Sequence, residues 1–222
     1  MQAVANRGGL TITANTMNGN LQCKENVPAP VASNNVAASF QDQCAQGGAG
    51  GGGAGTPPPV LSGNVSCNNL TIGAVSLDTV TVPAGASCTL NGARLNGSIL
   101  VGANAVLNAT DVAVTGSIQA DGAASVAVMG RSAGGSVQIK QGGSASINGM
   151  SITGDLQIDA QREPASASGN RITGNLQAVA NRGGVSLIGN AMNGGMQCKE
   201  NVPAPTGSGN TAALKEDQCL GL

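Results

Sequence analysis

The stretch GSVQI at residues 135–139 decides the fold, because it returns at a nearly fixed interval. GSILV (97–101), GSIQA (116–120), GDLQI (154–158), GNLQA (174–178) and GGMQC (194–198) repeat it, in steps of 19, 19, 19, 20 and 20 residues. DTVTV at 78 fits one period earlier, and GNLQC at 19 and GNVSC at 63 carry the same pattern elsewhere. Within each copy an apolar residue lies two positions after the start and another two further on, as in Ile99/Val101, Val137/Ile139 and Leu156/Ile158. The residue between them is repeatedly glutamine: Gln119, Gln138, Gln157, Gln177 and Gln197. Period-two alternation is the mark of a strand with one buried face.

Each period holds two more apolar sites. One is a pair, such as Leu107/Ala109, Val126/Val128, Ala145/Ile147 or Val185/Leu187; the other is a single position, Leu95, Val114, Ala133, Ile152, Ile172 or Met192. A helix of three turns does not fit between such sites, but three short strands do. The expected fold is all-β: a parallel β-helix, or β-solenoid, with about 19–20 residues per triangular coil. In such a stack the glutamines form an outward ladder. Asn91, Asn108 and Asn148, with Asn170 and Asn190 nearby, are expected at the corners before the third strand, where Asn and Gly tolerate a left-handed backbone. Arg162, Glu163 and Pro164 fall in a coil longer by one residue and are expected to form a corner bulge.

Composition agrees with thin, repetitive layers. Among 222 residues there is no Trp, Tyr or His and one Phe, Phe40, while Gly supplies 35 residues. The net charge of −1 offers no electrostatic case for nucleic acid or anionic membranes. No run of 18 apolar residues is present, so membrane insertion is not expected, and no leader pattern follows Met1.

Cys23 and Cys44, Cys67 and Cys88, and Cys198 and Cys219 are each 21 positions apart. Without His or a CxxC a zinc site is not expected. Six cysteines allow 15 pairings, and six free thiols are the alternative; equal spacing favours three neighbour bridges fastening the solenoid ends. Each would close a loop of about 20 residues, contributing roughly 3 kcal/mol, and would imply an extracellular or cell-surface location.

The second organising feature is a duplication. QCKENVPAP occurs at 22–30 and at 197–205, and residues 1–44 match 176–219 at 28 of 44 positions. Three segments are therefore expected: 1–44, a partial coil plus a terminal segment; 45–59, a Gly/Pro-rich linker (AQGGAGGGGAGTPPP); and 60–222, a complete solenoid. Since Met1 aligns with Leu176, the first segment opens in mid-coil. It is either the tail of a preceding tandem domain or a module that docks on another subunit. Exposed edges invite pairing, and a non-closing contact of that kind builds fibres. The segment expected to mediate assembly carries Met1, Gln2, Val4, Asn6, Leu10 and Ile12.

The G-x-I/V steps, short coils and near absence of aromatics across about 78–197 resemble the bactofilin-like polymer-forming solenoids. That resemblance implies a β-helix that polymerises end to end on the inner face of a membrane. Longer coils, paired cysteines and the linker depart from it and point to an exported variant.

The function expected is a structural subunit of an extracellular filament, fibre or stalk. Its partner is another copy of itself or a tandem sister domain, with a surface glycan as a further candidate. The alternative is an adhesin or a carbohydrate- or ice-binding solenoid, with a polysaccharide-active enzyme behind it. The chain is not expected to be an enzyme, and no cofactor, metal or catalytic residue is expected. Asp78, Asp111, Asp121, Asp155, Asp159 and Glu163 are the candidate carboxylates, but no two acids share an outward offset in adjacent coils, as a sugar-cleaving pair would need. The repeated hydroxyls and GGxGxDxUx nonapeptides of other solenoid functions are missing too.

Overall fold

The computed structural model describes residues 1–13, 20–33, 35, 39–44 and 63–222. The linker expected at 45–59 lies outside the described residues. The chain divides into two compact units, Met1–Val60 and Leu61–Leu222.

The second unit is a parallel β-solenoid with three faces, and no helix occurs among the described residues. Face A is a nine-stranded sheet that begins at Val65–Ser66, passes through Ile99–Val101, Val137–Lys140 and Leu176–Val179, and ends at Leu214–Asp217. Face B runs from Leu70–Ile72 through Ser144–Asn148 and Val185–Ile188 to Thr206–Ser208. Face C is built from two-residue strands such as Arg94–Leu95, Ser151–Ile152 and Arg171–Ile172. In two coils faces B and C merge into nine-residue strands, Val106–Val114 and Ser125–Ala133.

Register explains the periodicity. Each face pairs like with like in the next coil: Val80 with Ile99, Ile118 with Val137, Leu156 with Leu176, and Leu176 with Met196. These side chains are fully buried and form a continuous inner stack. The step on face A is 19 residues from Val137 to Leu156, and on face B 20 residues from Ala145 to Ala165. The extra residue therefore enters between Asp159 and Ala165, at the Arg162–Pro164 bulge.

The glycine of the GSVQI motif has a steric reason. At the corner between faces C and A, Ser117 donates its backbone N–H to Ser98 Oγ (3.1 Å), and Ser136 does so to Ser117 Oγ (3.2 Å). Asp155 continues to Ser136 Oγ (3.1 Å), Asn175 to Asp155 Oδ1 (2.8 Å), and Gly195 to Asn175 Oδ1 (2.8 Å). A Cβ on Gly116, Gly135 or Gly154 would collide with the hydroxyl of the coil before. The motif thus reads as a space followed by an oxygen, repeated once per coil.

The other two corners carry interior amide ladders. Asn170, Asn190 and Asn210 line one, and Gln161, Asn181 and Asn201 line the other, all buried. Each Oδ1 accepts the backbone N–H of the rung before it: Asn170 N–H to Asn190 Oδ1 is 3.1 Å and Asn181 N–H to Asn201 Oδ1 is 3.1 Å. Each Nδ2 reaches back to a carbonyl of the preceding coil, as in Asn190 to Ala167 O (2.9 Å) and Asn181 to Ile158 O (2.8 Å). This is how a small-residue core satisfies the backbone groups that sharp corners strand.

These ladders correct the expectation for the asparagines. The left-handed residues are Gly149, Gly169 and Gly189 at one corner and Ala160, Ala180 and Glu200 at the other, each one position before the inward residue. Asn108 lies within the strand Val106–Val114, exposed, and does not mark a turn. In the N-terminal coils small apolar residues such as Ala93, Ala105 and Ala123 line the corners instead.

Gln161 is the imperfect rung. Its Nε2 donates to Ile139 O (2.9 Å), but its Oε1 is buried without a partner. Asn is one methylene shorter and matches Asn181 and Asn201. Gln161→Asn is therefore expected to raise stability by about 1 kcal/mol, the scale of one restored hydrogen bond, which denaturant titration would register.

Three disulfides, Cys23–Cys44, Cys67–Cys88 and Cys198–Cys219, confirm the neighbour pairing, one in the first unit and one at either end of the solenoid. The Asp-Gln-Cys ending is a cap: Gln218 Oε1 accepts the N–H of Asn201 (2.9 Å), and its Nε2 returns a bond to Asn201 O (3.0 Å). Lys215 takes the inward register opposite Met196 and donates its Nζ to the Leu222 carbonyl.

The first unit repeats this ending. Gln2–Val4, Asn20–Lys24 and Ser39–Asp42 form a three-stranded parallel sheet, and Thr11–Thr13 pairs with Val31–Ser33. Asn6 N–H bonds Asn26 Oδ1 (3.0 Å), and Gln43 Oε1 caps Asn26 N–H (2.8 Å).

Candidate functional site

The glutamine row lies on the outer side of face A, one residue per coil. Gln138 Nε2 donates to Gln157 Oε1 (3.0 Å) and Gln157 Nε2 to Gln177 Oε1 (3.1 Å). Gln197 ends the row on Glu216 Oε2 (3.5 Å). Gln119 is exposed and stands outside this chain of bonds. It borders a cavity of about 500 Å³ whose lining includes Leu100, Pro83, Gln138, Asp121 and Lys140.

The candidate carboxylates are dispersed. Asp121 and Lys140 are register partners, as are Lys140 and Asp159, so a cation separates the two acids along face A. Burial pushes the Asp159 carboxyl up, against the pull of Lys140 and the Val179 backbone. Asp155 spends Oδ1 on the glycine-corner ladder. Asp111 is held below the usual carboxylate range by Arg131, whose Nε and Nη2 lie 2.6 and 2.8 Å from its two oxygens.

The expected assembly residues do not share one surface. Met1 and Val4 are exposed, and Gln2 joins the outer ladder through Gln22 Oε1 (3.0 Å). Asn6 belongs to the amide ladder with Asn26. Ile12 is buried and Leu10 packs against the same small core, so these two hold the unit together rather than offer it to a partner. What stays open is backbone. Gln22 N–H bonds Met1 O and Ala5 N–H bonds Lys24 O, which turns the peptide groups of Gln2 and Val4 to the other side of the strand. There they meet no strand among the described residues, whereas the matching strand Leu176–Val179 is paired on both sides.

Sequence reasoning missed the two amide ladders and the glycine-corner ladder. Their signal was a recurrence of Asn at 20-residue steps and of a Ser, Asp or Asn after the glycine of every GSVQI-like copy from 97 to 174.

The disulfides indicate folding in an oxidising environment. No family model, curated protein or solved structure matches this chain.

Proposed function

We propose that the chain is a structural β-solenoid subunit of an extracellular filament, fibre or stalk, assembling end to end through the open coil edge of its first unit, as an exported relative of bactofilin-like solenoids and not as an enzyme. One observation carries this reading. Gly183 is a glycine because a Cβ there would run into the backbone of Glu163 in the coil before. Its counterpart in the duplicated copy, Gly8, keeps the glycine although nothing lies within 4 Å of the Cβ position. The first unit thus carries the clearance for a coil that would stack on it. The one-sided strand Gln2–Val4 offers the backbone groups such a coil would pair with.

Electron microscopy of the full chain at high concentration tests this. Filaments are expected from the parent protein, and Gly8→Ala is expected to leave the first unit folded, by circular dichroism, while abolishing filaments. Monomers from the parent, or equal filaments from Gly8→Ala, would sink the reading.

A further inference from the structure

Face C differs in chemistry from the other two faces. Its outward positions, aligned coil by coil, are Arg94, Ala113, Ser132, Ser151, Arg171 and Ala191. The surface sinks into two cavities of about 440 and 280 Å³, the larger lined by the short Ala113 and Gly134, and the two share Ser151 and Thr153 and so form one trough. The trough follows the solenoid axis from the coil of Arg94 to that of Ala191, five steps or roughly 24 Å at about 4.8 Å per step. Thr115, Thr153 and Thr173 supply hydroxyls at three levels, with Gly134 at the level between the first two.

The electrostatics have one sign. No carboxylate lines either cavity. The ion pairs among the described residues are Lys24–Glu25 and Arg131–Asp111, so neither Arg94 nor Arg171 is engaged in one. Asp111, whose carboxyl Arg94 helps to draw down, is already clamped by Nε and Nη2 of Arg131. Asp78 holds the register position of Asn96 one coil earlier and lines neither cavity. Two unpaired guanidinium groups thus stand four coils, roughly 19 Å, apart over an uncharged floor.

We propose that this trough binds an extended acidic polysaccharide along the solenoid axis. Arg94 and Arg171 take carboxylates near its ends, and the threonine and serine hydroxyls between them take sugar hydroxyls. Guanidinium matches carboxylate in a two-pronged geometry. A single-stranded nucleic acid is the other extended polyanion, but its grooves use aromatic platforms for the bases, and the chain has no Trp or Tyr and only Phe40, outside this unit. With a net charge of −1 the molecule provides no long-range attraction, so binding is local and salt-sensitive.

The test is calorimetric titration of the full chain with oligogalacturonates, from the disaccharide to a chain long enough to span both arginines. The long chain is expected to bind and the disaccharide to bind much more weakly. Arg94→Gln and Arg171→Gln should each weaken the long chain about tenfold, the worth of one charge-assisted contact. Arg162→Gln, an exposed arginine outside the trough, should leave binding unchanged. Failure of the long chain to bind, equal binding of the disaccharide, an equal loss in Arg162→Gln, or tighter binding of oligothymidylate would each overturn the proposal.

Discussion

Asn190→Ala is expected to cost the solenoid about 4 kcal/mol, far more than the ordinary loss for one polar side chain. Asn190 Oδ1 accepts from both the backbone N–H (3.1 Å) and the Nδ2 (2.8 Å) of Asn170, and its own Nδ2 donates to Ala167 O (2.9 Å) and Asn210 Oδ1 (2.9 Å). All three asparagines are buried. Truncation strands the Asn170 N–H where water does not reach, at about 1–3 kcal/mol, removes the second donor of Ala167 O and the bonds to the Asn170 and Asn210 amides, and leaves a small void. Because coils contact only their neighbours, the loss should appear as local opening, read by hydrogen exchange over 165–210 rather than by a single melting temperature. Asn148→Ala is the control: its amide bonds Ser146 Oγ on the outer face (2.9 Å), and its loss should stay within about 1 kcal/mol. Asn190→Asp adds a sign test. A buried carboxyl has a raised pKa, and only its protonated form can donate to Ala167 O. The variant should be weak at neutral pH and recover as pH falls through that raised value. Exchange protection equal to the parent's in Asn190→Ala would refute the ladder's role.

The sequence made the strands legible and hid the corners. Alternation at 99/101, 137/139 and 156/158 exposes which side chains face in, and a 19–20-residue recurrence is enough to stack them. Equal cysteine spacing was enough to pair Cys198 with Cys219. Asn170 and Asn190 misled because propensity associates Asn with left-handed turns, whereas the left-handed residue is the glycine just before, Gly169 or Gly189. The asparagine is then free to turn inward and satisfy two coils at once. The role of Gly116 and Gly135 depends on which oxygen of the previous coil sits opposite, which no linear pattern states. The face C trough was illegible for the opposite reason: it depends on residues that are small, Ala113 and Gly134, at or beside the ends of the two nine-residue strands. Arg94 and Arg171 are 77 positions apart in sequence and become aligned only through the register of four coil steps.

Gly183→Ala is expected to destabilise the C-terminal coils by about 3 kcal/mol or more, above the loss from Gly149→Ala. The two glycines separate two reasons for the same residue. Gly149 sits at φ +64 with nothing within 4 Å of its Cβ position, so alanine meets only the left-handed penalty of roughly 1–2 kcal/mol. Gly183 has no left-handed φ, but its Cβ would meet the carbonyl carbon, carbonyl oxygen and Cα of Glu163. Backbone cannot rotate away as a flexible side chain can, so the coils must part. The neighbouring bonds are then at risk: Arg182 N–H to Gln161 O (2.8 Å) and the ladder bond from Gln161 N–H to Asn181 Oδ1 (2.9 Å). Denaturant titration of both variants, with exchange at 160–185, measures the difference. Equal losses would mean that the coils adjust at little cost. Gly8 would then mark no stacking site, because a stacked coil would tolerate a methyl group there as well.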